Sequence, residues 1–240
     1  IAPTDGIAKA IEAHYGSSQL SNMVERLSVE SSGYASAERL WCRPGMDSYA
    51  GKLCDDVSQV AEEVPGGASG RVWEDFARDH HVHVFYPVME RDGDAFYNTL
   101  AIVGPDGFVG KYRKRSLYYV DEAYAEPGRA PLVVTIDGKS FGLLICMDAN
   151  YDSYFGEYRD QGVRDIIATM DWDQSPRGQR AGRVFFRSQA QRNQMNLYVS
   201  DQASWDSTGF YPATGAERAR SPLPAVAPGT DGFVLQPLGD

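Results

Sequence analysis

The segment Phe141-Gly-Leu-Leu-Ile-Cys-Met-Asp148 constrains this chain most, because it places a thiol directly after a short apolar run. Leu143, Leu144 and Ile145 predict a buried strand. In a layered α/β fold, ligands bind at the carboxyl ends of the strands, and Cys146 stands at such an end. Cys146 is therefore a candidate nucleophile. The alternative is a small buried core residue, which is a common environment for a cysteine.

Patterns typical of helices and strands alternate along the chain. Apolar residues at helical spacing predict helices over 7–14, 48–64, 70–80, 154–161 and 180–193, and short apolar runs predict strands over 82–88, 165–170 and 197–201. The turn Asp137-Gly138 joins two further strands, 132–136 and 140–145, as a hairpin. This alternation indicates an α/β layered fold.

One domain is the simplest organisation of this chain. Its 240 residues suffice for a single core that buries about 70–75% of the surface of the unfolded chain. No Gly/Ser/Pro-rich linker divides the middle. We expect a single domain over residues 1–240, with an atypical N-terminal part and an irregular tail from about residue 221.

The charge and hydropathy of the chain argue against some classes of partner. The formal net charge is −10, whereas nucleic-acid binding needs a basic face and attraction to anionic membranes needs basic clusters. No apolar run approaches the ~18 residues of a membrane span. We expect neither nucleic acid nor a membrane as a partner.

Cysteine usage bears on the cellular compartment. Cys42, Cys54 and Cys146 are too few for a disulfide framework, and a reducing compartment is then the default. We expect a cytoplasmic protein; a pair of Cys42 with Cys54 in an exported protein is the alternative.

A small histidine cluster does not predict a metal site. His81 and His83 share one face of a strand, but no Cys or carboxylate accompanies them at the spacing of a metal site. We expect neither a metal nor another cofactor.

A second segment brings a lysine into the argument. Residues Tyr97 to Gly107 end in Pro-Asp-Gly, which predicts a strand followed by the turn of a β-hairpin. The returning strand leads to Lys114, and Asp121-Glu122 and the turn Glu126-Pro-Gly128 follow. Together with the Cys146 strand, this ordered set of segments resembles the carbon–nitrogen hydrolase (nitrilase) superfamily over about residues 61–204.

The resemblance implies a fold and an activity. The fold is a four-layer α-β-β-α sandwich built from two mixed sheets. The activity is hydrolysis of a non-peptide carbon–nitrogen bond, most commonly an amide, by a Glu–Lys–Cys triad through a covalent acyl-enzyme. Cys146 and Lys114 match the cysteine and the lysine of that triad. The resemblance also implies a small-molecule amide or nitrile substrate and a homodimer or larger homo-oligomer.

The chemistry fits these residue types. A thiol attacks best as the thiolate, and a nearby cation such as Lys114 lowers the pKa of a thiol. A carboxylate that takes the thiol proton and passes it to the leaving amine completes the acid–base cycle. A positioned ammonium or backbone N–H stabilises the negative charge that develops on the substrate.

Glu30 is the candidate for the carboxylate of the triad. It lies in Ser28-Val-Glu-Ser-Ser-Gly-Tyr34, where the family places its base. The proline that usually precedes this glutamate is missing, and the gap to Gly33-Tyr34 is short. The alternative is an exposed loop carboxylate.

Three further residues receive roles from the resemblance. Glu122 matches the family's extra glutamate after the lysine, which helps to orient substrate; its alternative is an exposed loop charge. Trp172 follows the strand over 165–170 and is expected to line the substrate pocket; its alternative is core packing. Glu90 matches a glutamate that is structural in the family.

One departure from the family pattern lies downstream of the cysteine. Gln189-Ala-Gln-Arg-Asn193 stands where the family has Arg-Ala-x-Glu-Asn on a helix that braces the fold and the dimer. This change and the atypical Glu30 region leave a second function open, that of a degenerate relative acting as a binding or scaffold subunit. A nitrilase and an N-acyltransferase share the same triad, so the motifs do not separate them from an amidase.

Overall fold

The computed structural model of the chain describes residues 57–118, 121–170, 176–201 and 207–215. These residues form two β-sheets with helices on their outer faces. Among the described helices, none is long and apolar enough to cross a membrane.

The first sheet is antiparallel, with three strands in sequence order. They are β1 (Val84–Asp92), β2 (Ala95–Gly104) and β3 (Gly107–Arg113). Helix α1 (Ala68–His80) precedes the sheet and packs against its outer face, where Ala77 contacts a cluster that includes Tyr86, Ala101 and Val103. The predicted hairpin is present, since Gly104 pairs with Gly107 across the Pro-Asp turn.

The second sheet is mixed and has five described strands in sequence order. They are β4 (Val133–Ile136), β5 (Lys139–Ile145), β6 (Asp165–Thr169), β7 (Asn196–Ser200) and β8 (Gly209–Tyr211). Strands β5, β6 and β7 are parallel, and the two outer pairings are antiparallel. Helices α3 (Asp152–Asp160) and α4 (Pro176–Asn193) supply Phe155, Tyr158 and Phe186 to a core on the outer face of this sheet.

The inner faces of the two sheets pack against each other. Leu100 and Ile102 of β2 join Phe141, Leu143 and Ile145 of β5 in one buried cluster. Successive side chains of a strand point to opposite faces, so the alternate residues Ala101 and Val103 contact α1 instead. The layers are therefore helix, sheet, sheet and helix, which confirms the four-layer α-β-β-α sandwich.

Two short helices lie at strand ends. Helix α2 (Asp121–Tyr124) follows β3 after a loop, and a 3₁₀ helix (Cys146–Asn150) follows β5 without a gap. Both lie where the sequence predicts functional residues.

Only residues 57–64 of the helix predicted over 48–64 are described, and the predicted end of that helix was wrong. Helical geometry stops at residue 60, and Glu62 instead pairs with Glu90 of β1. Val57 and Ala61 are buried, whereas Val60 is 53% exposed. The short strand β8 was not predicted. The single domain over residues 1–240 stays a prediction.

Candidate active site

Cys146 lies at the carboxyl edge of the parallel strands of the second sheet. Ile145 of β5 is in register with Thr169 of β6, which is in register with Ser200 of β7, so the three strands end together. Cys146 begins the 3₁₀ helix with φ of 46°, in the left-handed region. A residue other than glycine held there carries strain of about 1–3 kcal/mol, and such strain concentrates at functional sites. The strand therefore presents the thiol on a sharp, strained turn.

Gly142 lets β5, the strand that leads to Cys146, pack closely against helix α3. A Cβ at Gly142 would lie 2.6 Å from Cδ1 of Tyr158, so only glycine lets the ring of this α3 residue lie against β5. The Tyr158 hydroxyl then donates to the carbonyl oxygen of Leu143 over 2.6 Å. This contact fixes β5 against α3 just before the thiol.

Lys114 lies at the end of β3 and is 3% exposed. Its backbone N–H donates to the Asn98 carbonyl over 2.8 Å, and its carbonyl accepts from the Gly128 N–H over 2.7 Å. A Cβ at Gly128 would lie 2.1 Å from the carbonyl oxygen of Arg113, which explains the glycine of the Pro-Gly turn. The lysine backbone is thus fixed from both neighbouring segments.

The Lys114 ammonium is paired with Asp121, the first residue of α2. Nζ of Lys114 lies 2.5 Å from Oδ2 of Asp121, and the carboxylate is 1% exposed. The other donors to Asp121 are the Asn98 amide at 3.0 Å, the Tyr118 backbone N–H at 3.0 Å and the Tyr124 hydroxyl at 3.2 Å. Each oxygen of this carboxylate accepts two hydrogen bonds.

The electrostatics keep Lys114 charged. Burial by itself lowers the pKa of Lys114, but the proximity of Cys146 and the pairing with Asp121 together raise it above its ordinary value. The same interaction acts on the cysteine, because a lysine cation near a thiol favours the thiolate.

Asp148 connects the lysine segment to the cysteine turn. Its fully buried carboxylate accepts hydrogen bonds from the backbone N–H groups of Ser116 at 2.6 Å and Arg115 at 3.2 Å, from the Tyr112 hydroxyl at 2.8 Å and from the Ile145 N–H at 3.1 Å. Burial raises the pKa of Asp148, although these hydrogen bonds and the charge of Lys114 oppose the shift. One side chain thereby links the lysine segment of the first sheet to the cysteine of the second.

Comparison with known proteins agrees with this geometry. The sequence profile of the carbon–nitrogen hydrolase family matches residues 41–211 of the 240. The chain belongs to this family. The match confirms the resemblance drawn from the ordered motifs.

The chain is similar to curated proteins named as a nitrilase, as hydrolases and as an amidase. It is 37% identical over 95 residues to a nitrilase from Pyrococcus abyssi, covering 39% of this chain and 36% of the nitrilase. It is 26% identical over 160 residues to an (R)-stereoselective amidase from Pseudomonas sp., covering 67% and 57% of the two chains. The matched regions thus span between about a third and just over half of these relatives.

A solved structure extends the likeness of fold over most of the chain. An amidase from Nesterenkonia sp., with acrylamide added to its active-site cysteine, superposes with a TM-score of 0.60 at 16% identity. The superposition covers 87% of this chain and 84% of the amidase. At this identity the likeness concerns the fold.

Glu90 has the surroundings of a structural residue. Its fully buried carboxylate accepts hydrogen bonds from Lys111, Arg113 and Thr99 at 2.5–2.9 Å. Burial alone would raise the pKa of Glu90, but the bonds from these three residues outweigh it and hold the pKa below its ordinary value. Glu90 therefore ties β1 to β2 and β3.

Of the remaining site residues predicted from the sequence, only Glu122 lies in the described part of the chain. The side chain of Glu122 is exposed on α2, whereas the neighbouring Asp121 contacts the lysine. Glu30 and Trp172 lie outside the described residues, as do Cys42 and Cys54. Within the described part of the chain, no group of three His, Cys, Asp or Glu side chains is placed to hold a metal ion.

Sequence reasoning missed the role of Asp121. The only signal was its place beside Glu122 after the lysine, and a helix of four residues has too few turns to show which of two adjacent carboxylates points inward.

Proposed function

We propose that this protein hydrolyses the carbon–nitrogen bond of a small-molecule amide, with Cys146 as the nucleophile. The observation that carries the proposal is the pairing of a strained thiol turn with a buried, charged lysine. A thiolate beside a fixed cation, at the edge where parallel strands end, is well suited to acyl transfer by cysteine.

The proposed reaction has two halves. The Cys146 thiolate attacks the amide carbon, and the negative charge that develops on the substrate oxygen is stabilised by the Lys114 ammonium. Collapse of this intermediate breaks the carbon–nitrogen bond, the amine leaves with a proton from the base, and a thioester remains on Cys146. Water, deprotonated by the same base, then attacks the thioester and releases the carboxylic acid and the thiol.

Glu30 is proposed as the base. A carboxylate offers about four lone-pair sites, and Asp121 and Asp148 each already accept four hydrogen bonds. Their proton-accepting sites are therefore occupied, which supports a separate carboxylate in this role. Glu122 is proposed to orient the substrate and Trp172 to line its pocket.

The names of the relatives favour an amide over a nitrile. Solved structures that cover 87% of the chain are amidases, and a curated relative matched over 160 residues is an amidase. The match to a nitrilase is higher in identity but spans only 95 residues. Nitrile hydrolysis and acyl transfer use the same residues and are alternatives.

Turnover of a defined amide tests the proposal. Butyramide, which is bound in one structure of a variant of the Nesterenkonia amidase, serves as the first substrate, with butyronitrile beside it. We expect ammonia release from the amide, abolished in Cys146→Ala and retained in the matched control Cys42→Ala. An acyl adduct that peptide mass mapping locates on any residue other than Cys146 would contradict the proposal.

A labelling measurement separates an enzyme from a binding subunit. Iodoacetamide is expected to alkylate Cys146 faster at neutral pH than Cys42 or Cys54, because Lys114 favours its thiolate. Equal labelling of the three thiols in the folded protein, with no turnover of a wider amide panel, would favour the binding or scaffold reading.

We further propose a cytoplasmic homodimer or larger homo-oligomer. Light scattering coupled to size-exclusion chromatography is expected to give a mass of at least twice 26.5 kDa. A monomer at micromolar concentration would contradict this.

A further inference from the structure

The turn that carries Cys146 is held at both of its ends by buried side chains. At its entry, Asp148 accepts the Ile145 N–H over 3.1 Å. At its exit, the carbonyl of Ala149 accepts a hydrogen bond from Nε2 of Gln189 over 3.0 Å. Ala149 is fully buried and Gln189 is 3% exposed, so water does not replace this bond easily.

The Gln189 amide is itself fixed by the next turn of α4. Its Oε1 accepts from Nδ2 of Asn193 over 3.0 Å, which orients Nε2 toward the cysteine turn. The same Asn193 nitrogen donates to Oδ1 of Asp152, the first residue of α3, over 3.1 Å. At the surface, Arg192 lies 3.4 Å from the same Asp152 carboxylate. Two consecutive turns of α4 therefore hold the turn and the start of α3.

Two of these residues, Gln189 and Arg192, stand where the sequence departs from the family pattern. Gln189 replaces an arginine and Arg192 replaces a glutamate. The structure shows both in contact with the segment around the thiol, so the helix keeps a bracing contact there with different chemistry.

The hydrogen bond from Gln189 affects the position of the thiol because the backbone of Cys146 is strained. A non-glycine residue at φ of 46° persists only when its surroundings over-determine it. If the exit of the turn is released, Cys146 can relax toward ordinary backbone angles, and its sulfur then moves relative to the rigidly held Lys114.

We infer that Gln189 is a positioning residue that holds the Cys146 turn in its reactive geometry. The inference rests on the proposed function, in which Cys146 is the nucleophile. Gln189 acts through the backbone of Ala149 and does not itself contact the thiol in this role.

The test is the alkylation rate of Cys146 by iodoacetamide in the full chain between pH 6 and pH 10, read by peptide mass mapping. Gln189→Met keeps the side-chain length but removes the donor. We expect about a 10-fold or greater loss of rate at neutral pH, since the alkylation rate follows the fraction of Cys146 that is thiolate. The midpoint of the pH profile should rise as the thiolate loses contact with Lys114. A merely structural role would lower the thermal midpoint without moving this profile.

The matched control is Gln191→Met, the same change at an exposed position of the same helix, which should leave the profile unchanged. Asn193→Ala is the second variant, and it should slow alkylation in the same direction by releasing the Gln189 amide. It keeps the inference testable if Gln189→Met does not fold.

Two outcomes separate this inference from the proposed function. If Cys146 of the unsubstituted chain reacts no faster than Cys42 and Cys54, the proposed function fails and the inference fails with it. If Cys146 is selectively reactive but the rate and profile survive in the Gln189→Met and Asn193→Ala variants, only the inference is overturned.

Discussion

The buried pair between Lys114 and Asp121 makes a strong prediction about stability. Asp121→Asn keeps the shape of the side chain but removes the only negative charge of the pair. Lys114 is 3% exposed and Asp121 1% exposed, so water screens neither group. Breaking a buried pair by removing one partner costs about 3–5 kcal/mol. The Asn amide also turns a donor toward groups that themselves donate, such as the amide of Asn98.

The assay is equilibrium unfolding in urea followed by circular dichroism. A loss of about 3 kcal/mol shifts the midpoint by about 1 M or more when the slope is about 1–3 kcal/mol per molar urea. Glu122→Gln is the matched control, because it makes the same chemical change on the exposed neighbour. That variant should stay within about 0.5 kcal/mol of the unsubstituted chain. Equal midpoints for the two variants would refute the reasoning.

The pH dependence of this difference has a defined sign. The folded-state pKa of Lys114 is raised, so its stabilisation is fully present below the unfolded pKa of lysine, near ~10.4. It is lost as pH rises through the still higher folded value. In the Asp121→Asn variant the same lysine stays buried, which lowers its pKa, but it loses the aspartate that raises it. The difference between the unsubstituted chain and Asp121→Asn should therefore be largest near neutral pH and shrink as rising pH removes the proton from the uncompensated lysine. A difference that grows as pH rises above 7 would contradict this reasoning.

Three further predictions concern residues around the site. Gly128→Ala should destabilise the protein by about 1–3 kcal/mol in urea unfolding, because the added Cβ would lie 2.1 Å from a backbone oxygen. The control is Gly156→Ala on α3, where the added Cβ meets only an ordinary van der Waals contact, and this variant should be neutral or stabilising. Glu90→Gln should lower the free energy of unfolding by about 1.5–3 kcal/mol at pH 7. Since the folded pKa of Glu90 is lowered, this loss should shrink as acid protonates the native carboxylate. A loss that stays the same down to pH 3 would argue against the charge of Glu90 as the cause. Glu30→Gln should abolish amide turnover without changing the unfolding midpoint, and full activity in that variant would place the base elsewhere.

Local patterns predicted most of the elements that position the site. The apolar run before Cys146 is the strand β5, and the Asp137-Gly138 turn joins it to β4 with φ of 50° and 78°, the geometry of a two-residue hairpin. The hairpin that leads to Lys114 was predicted for the same reason. Such features depend on residues close together in sequence, where side-chain period and turn chemistry act directly.

Local sequence patterns do not predict which distant segments of the chain pair with one another. The four layers depend on which face of each sheet meets the other, and alternation within a strand does not specify the partner; the family resemblance supplied it. The short strand β8 has three residues, too few for a pattern. The end of the helix predicted over 48–64 was wrong because Glu62 pairs with Glu90, a contact between residues 28 positions apart.

The two side chains proposed to react belong to different sheets, and the interface between the sheets is therefore part of the proposed active site. Lys114 directly follows a strand of the first sheet, and Cys146 directly follows a strand of the second. Apolar packing alone is non-directional, whereas small misplacements of reacting groups matter for catalysis. Directional bonds cross between the layers: Asp148 accepts hydrogen bonds from backbone groups on both sides, and Arg115 makes a two-pronged ion pair with Glu157 of α3 at 2.8 and 2.9 Å. These polar contacts add orientation to the apolar packing that holds the layers together.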